Sequence, residues 1–204
     1  MKTNFLFLLL MSMLFYSCNN NAEATKLQEK AIEVYFDRNL DSSTRIDSSL
    51  TLTDQALALN PQNLQALIHR DRLMFVMKDA EGMMKSADRL IELYPDRPFF
   101  RVQKAFYLEL TDRPTEAKNL YQEALSMFEE DLREDSTQFD LYIGYLGSLE
   151  YAGDSAKAMQ VYKQLNARSW TDFQEEILKL YHKERLPKKR LVDYWEGRIT
   201  YDEI

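Results

Sequence analysis

Apolar residues recur three and four positions apart through most of the chain, the spacing that places them on one face of an α-helix. Two phrases set the register: Ala56-Leu57-Ala58-Leu59-Asn60-Pro61 and Leu90-Ile91-Glu92-Leu93-Tyr94-Pro95, whose prolines stand 34 residues apart. Met83, Ala87 and Leu90 are followed 34 residues later by Ala117, Tyr121 and Ala124, and a further set, Ala158, Tyr162 and Leu165, follows at 41. About seven residues are therefore inserted before the last set, in the segment Met127 to Asp135. There Phe128 and Leu132 are four apart among charged residues, which predicts two extra turns of helix projecting into solvent. A later amphipathic helix is predicted over 169–186, its apolar stripe made by Trp170, Phe173, Ile177, Leu180 and Tyr181, with a capping box from Ser169 to Asp172. Pro187 breaks it, and a short helix carrying Leu191, Tyr194 and Trp195 is expected to follow.

Small residues at Ala117 and Ala124, with Tyr121 one turn away, let two helices approach closely. Pro61 is expected at a helix start, and Asp112 and Asp154 as helix N-caps. A single hairpin leaves too much apolar surface open, so at least three must stack.

The 34-residue period, the small-aromatic-small signature and the closing prolines resemble the tetratricopeptide repeat family over residues 27–166. Four units are read, at about 27–61, 64–95, 98–135 and 138–166, with the third the best match. The family's glycine is replaced by Asp71 and Ala105 in units two and three. The resemblance implies an all-α fold: a right-handed superhelical stack of helix hairpins, an α-solenoid, with residues 167–204 as capping helices and tail. It also implies a concave groove lined by the first helix of each hairpin, which holds a protein or peptide partner. The matching positions are Gln65, Ile68, His69 and Arg72 in unit two, Phe99, Val102, Gln103 and Phe106 in unit three, and Asp140, Ile143, Gly144 and Gly147 in unit four. Phe99 and Phe106 are the expected anchors. Gly144 and Gly147 either admit a ligand close to the helix or allow tight helix packing. Only Arg72 is suitably basic, so the family's carboxylate clamp is not expected here.

Residues 1–17, MKTNFLFLLLMSMLFYS, have the shape of a secretory signal: Lys2, then an apolar run of about 12 residues, too short for a membrane span of roughly 20. The run ends at Ser17-Cys18. This resembles a bacterial lipoprotein precursor, in which the cysteine sulfur is lipidated, by palmitate or a related acyl chain, and becomes residue one. Residues 18–26 are then expected as a polar tether. The chain would be lipid-anchored in the cell envelope, with the outer membrane as the default address.

The net charge of −7 argues against nucleic acid as a partner, since phosphate neutralisation needs surplus Lys and Arg. One segment departs from this balance: residues 179–198 hold seven basic and three acidic side chains. Cys18 is the single cysteine, and His69 and His182 are the only histidines. The five glycines form no phosphate loop, and no H-E-x-x-H, Cys/His cluster or G-x-S-x-G elbow is present. No catalytic residue, metal or cofactor is therefore expected, and the sequence leaves the oligomeric state open. The expected function is a non-catalytic, membrane-anchored protein-interaction module. A ligand-recognition lipoprotein for glycan or peptide, or an immunity-type inhibitor, is the alternative.

Overall fold

The computed structural model describes residues 20–184 and 187–203. The expected signal segment and the lipidation site Cys18 lie outside the described residues. Every regular element among the described residues is helical. Helix α1 covers 20–36. It is followed by α2 (Ser42–Leu59), α3 (Leu64–Val76), α4 (Ala80–Leu93), α5 (Pro98–Leu110), α6 (Pro114–Glu134), α7 (Phe139–Tyr151), α8 (Ser155–Asn166), α9 (Asp172–Glu184) and α10 (Lys188–Trp195). A single 3-10 turn, Tyr201–Glu203, follows.

Consecutive helices are joined by short turns, and two kinds of turn recur. After α3, α5 and α7, the second residue past the helix adopts a left-handed backbone: Lys78 (φ 56°), Asp112 (φ 61°) and Gly153 (φ 83°). The amides of Asp79, Arg113 and Asp154 then reach back to the carbonyls of Met74, Leu108 and Leu149, closing the same helix-ending loop three times. Only the third turn uses the residue best suited to that backbone, glycine. Asp112 is thus the turn residue itself and not the N-cap expected of it; α6 starts two residues later at Pro114. Asp154 does cap its helix, accepting from the Lys157 amide at 3.0 Å.

Between hairpins the chain makes a β-turn. The amides of Asn63 and Arg97 donate to the carbonyls of Asn60 and Tyr94, which puts Pro61 and Pro95 at the second turn position. Pro61 therefore fixes a turn rather than starting a helix. Asn63 is the cap of α3, accepting from the Ala66 amide at 3.1 Å. The helix-starting prolines are Pro98 and Pro114.

The chain divides into two compact units, up to Ser86 and from Ala87, the boundary falling inside α4. In the first unit α2 packs on α3. Residues 20–26, expected as a tether, are the first turns of α1. Ala24 is fully buried with Ala56 and Ala66, and Leu27, Leu57 and Leu59 close around them. This interior is unusually polar: Gln28, Ser49, Thr53, His69 and Asp71 are all buried.

In the second unit α5 packs on α6, α6 on α7, and α7 on α8. Ala105, Ala117 and Ala124 have no exposed surface, and Tyr121 fills the space beside them. The inserted turns extend α6 and leave Glu130, Arg133 and Glu134 exposed, but they are not wholly solvated. They lengthen α6 to 21 residues, bury Phe128 against α7, and bring the Glu129 carboxylate to the Tyr145 hydroxyl and the Lys157 ammonium, each at 2.6 Å. These hydrogen bonds hold the Glu129 carboxyl below its ordinary range, Lys157 contributing most.

The C-terminal cap differs from its expected pattern. Helix α9 begins at Asp172, and its reciprocal cap is Thr171 with Gln174: the Gln174 amide donates to the Thr171 hydroxyl, and the Thr171 amide to the Gln174 side chain. Trp170 lies before the helix, its indole donating to the Leu165 carbonyl at 2.7 Å with its ring edge-on to Phe139. Among the described side chains of α9, Leu178 is buried, whereas Phe173 is 75% exposed.

Because Phe128 is packed, Phe128→Ala should cost roughly 3 kcal/mol in urea unfolding. A merely solvated extension would lose almost nothing.

Candidate functional site

In the first unit, α3 holds Gln65 and Arg72 exposed and Ile68 half-buried. His69, expected to line a groove, is buried instead. The Ser49 hydroxyl donates its one proton to the Ala31 carbonyl at 2.8 Å. Its 2.7 Å contact with His69 Nε2 must therefore be an N–H donated by the ring. The imidazole also stands edge-on to Tyr35 at 5.3 Å. Burial, with the nearby Arg72 cation, lowers its pKa from 6.5 to about 4. A neutral His69 thus ties α3 to α2 and α1 and is unavailable to a ligand.

In the second unit, α5 leaves Phe99 54% exposed, while Val102 and Phe106 are buried. Phe106 meets Tyr151 edge-on at 5.3 Å. Gln103 is half-buried, its amide donating to the Tyr107 hydroxyl at 3.0 Å. Of the two expected anchors, only Phe99 can reach a partner; the hairpin interior takes Phe106 because its ring fits between α5 and α7. On α7, Asp140 is exposed and Ile143 half-buried. A β-carbon at Gly144 would stand 3.0 Å from the Phe128 ring, and one at Gly147 would stand 3.9 Å from the Tyr181 hydroxyl. Gly144 therefore serves helix packing, while a β-carbon at Gly147 would meet only an ordinary contact.

The inner helices carry a feature that the groove positions did not include. Helix α10 crosses the C-terminal ends of α5 and α7. The Lys188 ammonium donates to the Tyr151 carbonyl at 2.6 Å and forms an ion pair with Glu109. It also lies 5.2 Å from the Tyr121 ring centre and 6.0 Å from that of Phe106. Two turns along, the Trp195 indole donates to the Leu110 carbonyl at 3.0 Å. Those last-turn carbonyls have no partner within their own helices, so α10 satisfies two of them. The Tyr121 hydroxyl donates to Glu109 at 3.0 Å; burial, then the Glu109 charge, pushes its ionisation well above the ordinary range for tyrosine. A cavity of about 510 Å³ remains beside this contact, lined by Glu109, Leu110, Pro114, Lys188, Val192 and Trp195. One sequence signal did mark the contact. Lys188, Lys189 and Arg190 crowd the first turn of α10, where the helix dipole disfavours cations; Lys189 is paired within the helix by Asp193, whereas Lys188 is paired outside it by Glu109.

A second recess of about 420 Å³ opens where the long α6 overhangs α8, between Arg133, Tyr145, Gln160 and Gln164. Among the described residues, no group of three or more His, Cys, Asp and Glu could hold a metal ion. Nor is any described helix long and apolar enough to cross a membrane.

No protein-family model matches the chain, and no curated protein matches it either. Among solved structures, MamA MSR-1 is 14% identical, covering 76% of this chain and 95% of its own, with a TM-score of 0.37. MamA AMB-1 is 12% identical, covering 80% and 96%, with a TM-score of 0.39. At this overlap the all-α architecture rests on the chain's own paired helices and their repeated turns.

Two outcomes are expected. His69 is neutral when folded and titrates near 6.5 when unfolded, so its contribution is complete above pH 6.5 and shrinks as pH falls toward 4. Urea titrations of the wild type should lose up to about 3 kcal/mol across that window, and His69→Gln should flatten the loss. Lys188→Met should cost about 1–2 kcal/mol, because Glu109 loses its counter-charge. Amide exchange over residues 188–195 should quicken with it.

Proposed function

We propose that this chain is a non-catalytic protein-interaction module, held at the bacterial cell envelope by lipid on Cys18, with the outer membrane as its site. The observation that carries the reading is Phe99. A large aromatic side chain stands more than half exposed at the start of an inner helix whose following turns are locked by Val102 and Phe106. An exposed ring on a rigid support loses little entropy when a partner covers it, which is the usual makeup of a binding anchor. Gln103 lies one turn on along the same helix, and α7 adds the polar Asp140 and the apolar Ile143. A protein or peptide that meets α5 thus finds one aromatic contact with hydrogen-bonding groups near it. The anchoring half of the proposal is supported by the short apolar run that ends at Ser17-Cys18.

The test is crosslinking in intact producing cells, comparing the wild type with Phe99→Asp and Cys18→Ala. Phe99 touches little of the interior, so its variant should fold and yet recover roughly tenfold less crosslinked partner. Cys18→Ala should move the protein from the membrane to the soluble fraction. Undiminished partner recovery by a folded Phe99→Asp would end the binding reading. Membrane retention of Cys18→Ala would end the anchoring one.

A further inference from the structure

The last long helix leaves apolar surface uncovered. On α9, Phe173, Ile177 and Leu180 follow at four- and three-residue spacing and share one face. Phe173 is 75% exposed and Leu180 43%, with Ile177 half-buried. The face that α9 turns inward is the neighbouring one, where Leu178 is buried and the Tyr181 hydroxyl donates to Glu150 at 3.1 Å. A helix that terminates a stack of hairpins ordinarily shows a polar outer side, since nothing follows to cover it. This one shows a phenylalanine and a leucine.

The charges of α9 are sorted along its length. Asp172, Glu175 and Glu176 lie in the first half; Lys179 and Lys183 lie in the second, before the closing Glu184. A parallel neighbour would set acid beside acid. An anionic lipid surface would meet Glu176 one turn from Phe173. A second α9 running the opposite way brings the acidic half of each helix to the basic half of the other. We propose that α9 is a self-association surface. Two copies of this chain pack their α9 helices antiparallel about a twofold axis near Ile177. Phe173 of each then lies against Leu180 of the partner subunit, with Glu176 beside Lys179 of the partner subunit.

A helix of 13 residues is about 20 Å long and covers less than the roughly 800 Å² per partner of a stable interface. Pairing is therefore weak in dilute solution and depends on local concentration. Two chains held on one membrane supply that concentration, so this part rests on the anchoring reading above.

Cysteine crosslinking in membranes of producing cells tests the geometry, because the parent chain has Cys18 as its only thiol. Under mild oxidation, full-length Ile177→Cys should give a disulfide dimer beyond the parent's background. Phe173→Cys alone should not, since the two thiols would lie about 12 Å apart along the axis, beyond the ~7 Å that a disulfide spans. Phe173→Cys co-expressed with Leu180→Cys should crosslink. Adding Lys179→Glu to Ile177→Cys should cut the dimer roughly tenfold, and adding Glu176→Lys to that variant should restore it. Background-level crosslinking by both Ile177→Cys and the mixed pair would overturn the proposal. Phe173→Cys pairing with itself as readily as Ile177→Cys would also overturn it. The mixed pair decides if Ile177→Cys proves protease-sensitive, because Phe173 and Leu180 are exposed. Fractionation of the same cells reports anchoring separately.

Discussion

Alanines at 105, 117 and 124 govern how closely α5 and α6 approach. None has exposed surface, and Tyr121 fills the volume beside them with its hydroxyl directed to Glu109. A larger residue at any of the three would push the helices apart, since packed interiors have no spare volume. The rest of the second unit is built outward from that contact. The long α6 carries Phe128 to Gly144, and Gly144 has no side chain to refuse it. Helix α7 then stands where α8 and α9 can pack on it.

The first unit is held together on different terms. Its interior contains Gln28, Ser49, Thr53, His69 and Asp71. Hydrogen bonds supply much of its specificity: Ser49 bridges the Ala31 carbonyl and the His69 ring, so three helices meet at one hydroxyl. Such a site is directional, and it sets the helix register more narrowly than an apolar contact would. It is also sensitive to protonation, because a charged imidazole has no favourable place there.

The contact of α10 with α5 and α7 joins the C-terminal helix to the ends of two others. Lys188 and Trp195 are seven residues apart, about 10 Å along a helix, close to the spacing between neighbouring packed helices. That match lets one short segment reach the ends of both inner helices. It occupies the rim near Phe106 and leaves Phe99, at the far end of α5, open. In this region the Glu109 carboxylate is paired with the Lys188 ammonium and accepts from the Tyr121 hydroxyl.

Much of the fold was legible in the residues. The 34-residue spacing of Pro61 and Pro95 marks equivalent turns, and the buried triplets Met83-Ala87-Leu90 and Ala117-Tyr121-Ala124 fall where the period places them. Period and helix pairing are local properties, set by backbone geometry and side-chain size, so sequence determines them. The site was less legible. Position on a helix does not say which neighbour a side chain meets, and so His69, Val102 and Phe106 read as groove residues yet are interior. Gly144 and Gly147 suited either a close ligand or close helix packing; Phe128 packs on the first and the Tyr181 hydroxyl approaches the second, residues 16 and 34 positions away in the chain. The stripe of α9 had the right period for a buried face, and only the packing of Leu178 decided which side turned inward. Sequence determines that a helix has an apolar side; the tertiary structure chooses what that side faces, because only there do distant segments compete for the same volume.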